Sequence, residues 1–261
     1  MPDQPLLEAR NLTVRFGAII AVNDVSVTVN RGEIVGLIGT NGAGKTTFLN
    51  MVTGYLRPTS GQIMFDGDSA IGRTPREMVR HGMARSFQIP QLFSELTVLD
   101  HVVLAIALAE RPRFLLNRID HRARIDAAHE VLARFGLAQI ARRPISLIPQ
   151  GQRKLIDIAM ALALRPKLLL LDEPTSGVSS AEKLGLMDVV FASIRADKTT
   201  VLFVEHDMEI VQRYVTRLLA FRDGRLIADG MPADVMRDAQ VASAIMRRPP
   251  TEQGCKAERA S

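Results

Sequence analysis

Cysteine is nearly missing from this chain of 261 residues, where Cys255 stands alone. One thiol cannot close an intrachain disulfide, which excludes a disulfide scaffold and fits a reducing cytosol. Long apolar runs are missing too. The purest stretches, residues 102–109 and 168–171, fall far below the ~18 residues that span a bilayer. The first ten residues carry Asp3 and Glu8 and no apolar segment, the opposite of a signal peptide. The signs of disorder are absent as well, since 47% of residues are hydrophobic and 23% charged. The length gives one large domain or two modest ones, enough to bury a core without staples.

The formal charge of +5 is unevenly spread. Residues 111–154 hold ten Arg or Lys against Asp120, Asp126 and Glu130, and the remainder is nearly neutral. A partner for that basic segment is one reading, and simple solvated helix faces are the other.

Strand patterns open the chain. Leu12, Val14 and Phe16 alternate with polar residues, as do Val25, Val27 and Val29, the pattern of half-buried antiparallel strands. Ile34–Ile38 is apolar on both faces, as in a covered central strand. A helix over Lys45–Val52 and a strand over 61–65 follow, the latter closed by Asp66-Gly67. From about residue 91 to 150 strand signals vanish, and helical spacing is found over Val98–Ala109 and 118–135. A helix over 152–163 then precedes strand 168–171, helix 181–194 and strand Thr200–Val204, with a second turn pair at Asp223-Gly224. The pattern predicts an α/β core with an antiparallel β part and a helical insertion at about 91–150. The main domain covers 6–247, and 248–261 forms a mobile polar tail.

Gly39-Thr40-Asn41-Gly42-Ala43-Gly44-Lys45-Thr46, followed by Thr47, fits G-x-x-x-x-G-K-[ST] between a strand and a helix. Glycines let backbone N–H groups wrap phosphate oxygens, and the following helix N-terminus adds partial positive charge. Lys45 would reach the β- and γ-phosphates of a nucleotide, and the Thr46 hydroxyl would bind Mg2+. Strand 168–171 ends in Asp172-Glu173, placed beside that loop if the strand is central. Asp172 would hold the Mg2+ hydration shell, and Glu173 would orient or deprotonate the attacking water. Strand Thr200–Val204 delivers His206 to the same edge as a candidate sensor of the γ-phosphate, although a lone histidine is more often a satisfied core or surface residue.

Together these residues make the chain similar to the ATP-binding subunit of an ABC transporter, a P-loop NTPase core, over roughly residues 6–247. The resemblance implies further roles. Ser86-Phe87-Gln88 resembles the Q-loop, so Gln88 would touch Mg2+ and the attacking water. Phe16 falls where the family stacks an aromatic on adenine, with a strand-face core residue as the bland alternative. Ser176-Gly177-Val178-Ser179 occupies the D-loop, and His206 the switch position. Ile148-Pro149-Gln150-Gly151-Gln152 lies over the L-S-G-G-Q signature, which completes the ATP site of an opposite subunit. Here Pro149 replaces the serine that would bond the γ-phosphate, and it lacks a backbone donor as well, although a proline suits a first helical turn. Ser179 replaces the usual aspartate or asparagine. Arg153 and Lys154 would lie near the γ-phosphate of a closed sandwich.

Within the family, Arg85-Ser86-Phe87-Gln88-Ile89-Pro90-Gln91-Leu92-Phe93 and the end Gly230-Met231-Pro232-Ala233-Asp234-Val235-Met236 resemble subunits of branched-chain amino acid uptake systems. The resemblance implies a second, paralogous ATPase subunit, two transmembrane permease subunits, an external solute-binding protein and a place on the cytoplasmic face of the membrane. The basic segment would then turn toward permease or anionic lipid. Alternatives are an importer ATPase for another small polar solute such as urea, or a soluble ABC ATPase acting on DNA or ribosomes. The latter would need coiled coils, zinc motifs or duplicated cassettes, so no nucleic acid is expected. A P-loop kinase or GTPase would leave Gln88, the signature helix and His206 unexplained together.

Overall fold

The computed structural model describes residues 4–110 and 121–245. Two sheets organise them. In the first, β1 (Leu7–Phe16) lies between β2 (Ile19–Val29) and β4 (Ser60–Phe65), all antiparallel, and the short β5 (Asp68–Ser69) borders β4 across the Asp66-Gly67 turn. The second has six strands in the order β10 (Arg225–Gly230), β9 (Arg217–Arg222), β3 (Ile34–Ile38), β8 (Thr200–Val204), β7 (Leu168–Asp172) and β6 (Met83–Ser86). From β9 to β6 all neighbours are parallel, and only the edge strand β10 turns back.

Parity along the central strands separates two cores, because successive side chains leave opposite faces. Val35, Leu37, Leu168, Leu170, Leu202 and Val204 face the antiparallel sheet and helix α1 (Lys45–Val52). Their alternates, among them Ile34, Leu169, Leu171 and Phe203, face the helical side. This is why β3, β7 and β8 read as unbroken apolar runs: every residue in them is buried.

After α2 (Pro75–His81) and β6, no described residue joins a strand until β7. That interval holds α3 (Val98–Ala109), α4 (His121–Arg134) and α5 (Gln150–Ala163). Thr97 starts α3 with a reciprocal capping box to Asp100, satisfying amides that a helix start leaves open. The buried His101 uses both ring nitrogens: Nδ1–H donates to the Thr97 carbonyl, and Nε2 accepts from the Phe93 amide. It thereby fixes the turn before α3. The last helices are α6 (Ser180–Asp197), α7 (Met208–Tyr214), α8 (Pro232–Arg237) and α9 (Ala239–Ile245).

Some boundaries differ from the sequence pattern. The helix expected over 118–135 is α4, and its expected start lies outside the described residues, as do the expected polar tail and Cys255. The helix expected from 152 begins at Gln150, with Pro149 as its N-cap in extended geometry (φ −58°, ψ 153°), so the proline sits just outside the first turn. Strand β7 continues to Asp172, which is therefore a buried strand residue. Among the described residues no helix is long and apolar enough to cross a membrane.

Candidate active site

The loop between β3 and α1 wraps one side of a cavity of about 590 Å3, walled by Asn41–Thr47 backbone and side chains together with Ala21, Gln88, Glu173 and His206. Two glycines make this wrap possible. Gly39 has φ +148°, and a Cβ there would collide with the Phe221 carbonyl oxygen. Gly44 has φ +98°, and its Cβ would lie 2.7 Å from the Ala21 carbonyl oxygen. Both positions need the left-handed region and close backbone approach, which only glycine accepts without strain. Lys45 is buried at the foot of the loop, where Nζ donates to the Gly39 (2.7 Å) and Thr40 (3.0 Å) carbonyls. Burial lowers its pKa, and the carboxylates of Glu173 and Asp172 pull it back up.

Glu173 follows the last residue of β7 and adopts φ +48°, unusual for a residue with a Cβ. Its amide donates to the Val204 carbonyl at 2.9 Å, which pins the turn to the end of β8. The carboxylate is gripped from two sides: Gln88 Nε2 donates to Oε2 (2.6 Å), and His206 Nε2 donates to Oε1 (2.9 Å). Three residues separated widely in sequence thus meet on the wall of the cavity that the phosphate loop lines, Glu173 and His206 from the ends of adjacent parallel strands. Glu205 supports them from below. It is buried, accepts from the Thr175 hydroxyl through Oε1, and accepts from the His206 amide through Oε2 at 2.8 Å.

Asp172, expected to hold the hydration shell of Mg2+, has one carboxylate oxygen already engaged. It is buried, and Arg85 Nη2 donates to its Oδ2 at 2.6 Å. Arg85 also donates from Nη1 to Asn50 Oδ1 (2.7 Å), while its Nε is buried without a partner. Phe16 ends β1 and is 51% exposed, which removes the core reading. It does not wall the cavity itself, but it belongs to the hairpin whose Ala21 does.

Pro149, Gln150 and Gln152 are exposed and, with Gly151, lie outside the cavity that holds Glu173. No side chain caps the α5 N-terminus. Ser179 precedes α6 and spends its hydroxyl on Glu182 Oε2 (2.6 Å). The two cations expected near the γ-phosphate of a closed sandwich make hydrogen bonds within the chain. Arg153 donates back to the carbonyls of Ile148 (2.6 Å) and Ser146 (3.1 Å). Lys154 is 1% exposed and donates to the carbonyls of Phe87 (2.7 Å) and Gln88 (2.9 Å). Burial lowers its pKa, offset by the carboxylates of Asp157, Asp172, Glu205 and Glu173. Other members of the basic segment are also committed within the chain: Arg124 pairs with Glu110 and Arg134 with Asp197. Arg111, Arg113 and Arg118 lie outside the described residues.

Sequence reasoning gave no role to Arg85, Asn50, Asp157 or Glu205, and it gave Lys154 a different one. A charge on an otherwise apolar helix face (Asp157) was the available signal.

Comparisons with known proteins place the chain in a family. The ABC transporter family profile matches residues 22–176. The chain is 33% identical over 252 residues to the high-affinity branched-chain amino acid transport ATP-binding protein BraF of Pseudomonas aeruginosa, covering 94% of this chain and 98% of that one. It is 34% identical to LivG of Escherichia coli, a protein of the same description, over 94% and 98%. Among solved structures, the ADP conformation of the ATP-binding cassette MJ1267 superposes with a TM-score of 0.80 at 29% identity, covering 94% of this chain and all of that one. The dimeric post-hydrolysis cassette MJ0796, bound to ADP and Pi, gives 0.75 at 25% identity over 87% and 98%. The chain belongs to the ABC transporter family, as an ATP-binding subunit related to the branched-chain amino acid importers, and is an ATPase.

Proposed function

We propose that this subunit energises uptake of branched-chain amino acids through two membrane-embedded permease subunits, at the cytoplasmic face of the membrane. In that setting it pairs with a second, paralogous ATPase subunit, and an external binding protein delivers the solute. The descriptions of BraF and LivG support the substrate class, and the match covers nearly the whole chain.

The single observation that carries the catalytic part is the meeting of Gln88, Glu173 and His206 across the cavity from the phosphate loop. The loop amides from Gly39 to Thr47 and the α1 N-terminus bind the polyphosphate of ATP, and Lys45 leaves the loop carbonyls for the β- and γ-phosphates. The hard-oxygen donors Thr46 and Gln88 line the cavity and fit Mg2+, which when bound would offset phosphate charge; Asp172 would reach it through water only by Oδ1, the oxygen that Arg85 leaves open. Glu173 orients and deprotonates the attacking water, while Gln88 and His206 hold its carboxylate and report on the γ-phosphate. Phe16, exposed on the neighbouring hairpin, supplies a stacking face for adenine. The exposed α5 N-terminus at Pro149, Gln150, Gly151 and Gln152 is turned to the ATP of the opposite subunit, and the domain limits 6–247 and 91–150 describe the cassette and its helical insertion.

Glu173→Gln tests the assignment. It should keep nucleotide binding and lower phosphate release by about 100-fold or more, the usual scale for losing a positioned base. Full hydrolysis by that variant refutes the role of Glu173. The transport reading is tested by the chains that co-purify from membranes with the tagged subunit; recovery without any permease chain counts against it.

A further inference from the structure

Three consecutive residues, Ser86, Phe87 and Gln88, are held by one helix at four points. The Ser86 hydroxyl donates to Asp157 Oδ2 (2.7 Å), and the Phe87 amide donates to the same oxygen (3.2 Å). On the other edge of the segment, Lys154 Nζ donates to the Phe87 and Gln88 carbonyls. Asp157 and Lys154 stand three apart on α5, so both face the same side of the helix. The anchoring side chains are dry: Ser86 is 0%, Lys154 1% and Asp157 9% exposed.

A buried ammonium and a buried carboxylate are costly to place, and hydrophobic side chains would serve packing as well or better. Their hydrogen bonds all go to one short backbone segment, and that segment carries Gln88, whose side chain reaches Glu173 at 2.6 Å. We infer that Lys154 and Asp157 are positioning residues for hydrolysis: they clamp the 86–88 backbone so that Gln88 holds the Glu173 carboxylate. Neither touches the substrate. They act through Gln88, and small misplacement of such a group costs rate without costing binding.

The clamp has a second consequence. Asp157 and Lys154 ride on α5, the helix whose N-terminus is Pro149 to Gln152. The four bonds connect that end, rigidly and through a single helical turn or two, to the carboxylate in this chain's own cavity. Displacement of α5 by a nucleotide bound opposite moves Gln88 with it. Two sites on different faces of one subunit are thereby tied to one element.

This inference rests on the proposed roles of Gln88 and Glu173, and the test separates the two. The full-length chain is prepared as Lys154→Met, Lys154→Arg and Asp157→Asn, and backbone hydrogen exchange of the 86–88 segment is measured beside ATP hydrolysis. Lys154→Met should speed exchange in that segment and lower kcat by about tenfold or more, with KM for ATP changed by about twofold at most. Lys154→Arg, which keeps charge and donors, should restore both. Asp157→Asn weakens the bonds from Ser86 and Phe87 and should loosen the segment even if Lys154→Met fails to fold. Unchanged exchange in the segment overturns the inference, and so does a loosened segment with full kcat. If Glu173→Gln keeps full hydrolysis while the segment still loosens, the active-site assignment has failed and the clamp has not.

Discussion

Arg85 and Asp172 form an ion pair sealed from solvent, with Nη2 2.6 Å from Oδ2 and side chains 9% and 7% exposed. The pair joins neighbouring strands β6 and β7 at the end of the sheet that carries the active site. Removing one partner leaves a buried charge unbalanced. Arg85→Met should therefore lower unfolding free energy by about 3–5 kcal/mol. Adding Asp172→Asn to it removes the stranded carboxylate and should recover part of the loss. Urea unfolding of the wild type, the single and the double variant checks this, and a double variant no more stable than Arg85→Met counts against the account.

Asp66 links the two sheets in another way. It sits in the turn after β4 and accepts from both Lys167, just before β7, and Arg31, just before β3. The hydrogen bond from Lys167, followed by that from Arg31, holds its pKa below the usual carboxylate value despite partial desolvation. A depressed native pKa means stability that is fully present above the unfolded value of about 3.9 and is lost as pH falls through the native value. Asp66→Asn should thus be destabilising at pH 7. Its deficit relative to the wild type should shrink as pH is lowered from about 5 toward the depressed native pKa. Thermal melts across that range decide it, and a deficit independent of pH refutes the ionic explanation.

The phosphate loop was legible because its chemistry is backbone chemistry, and glycine spacing alone reports it. Glu173 and His206 were legible because each stands two positions past the end of a short apolar run that must finish at one edge of a parallel sheet. Arg85, Lys154 and Asp157 were not. Their partners are 87, 67 and 71 positions away in sequence, at Asp172, Phe87 and Ser86. A polar residue on an apolar face announces only that some partner exists, and the fold chooses which. The charge count misled for the same reason: Lys154 looked like part of a basic surface, yet it is spent inside on two carbonyls.

Pro149 carries the last prediction. It occupies the N-cap of α5 with no side-chain cap, and its carbonyl still accepts from the Arg153 amide at 3.0 Å. Its extended backbone (φ −58°, ψ 153°) is one that serine adopts without strain, so Pro149→Ser changes chemistry without changing geometry. A serine cap adds about 0.5–2 kcal/mol to the helix, offset in part by the extra freedom of the unfolded chain. Stability should move little. On the proposed pairing of two cassettes, the larger effect belongs to the assembled complex, where the new hydroxyl would face the phosphate held by the opposite subunit. A hydrogen bond to a charged group contributes about 1.5–3 kcal/mol, roughly 10- to 100-fold in rate if it strengthens in the transition state. Phosphate release by the assembled complex should therefore rise in Pro149→Ser, with the gain confined to the site that this helix completes. Inactivating that opposite site through its own phosphate-loop lysine should abolish the gain. Turnover unchanged by Pro149→Ser would mean that the helix N-terminus and Gln150, Gly151 and Gln152 already suffice for the anion, and that the two ATP sites are not made unequal by this proline.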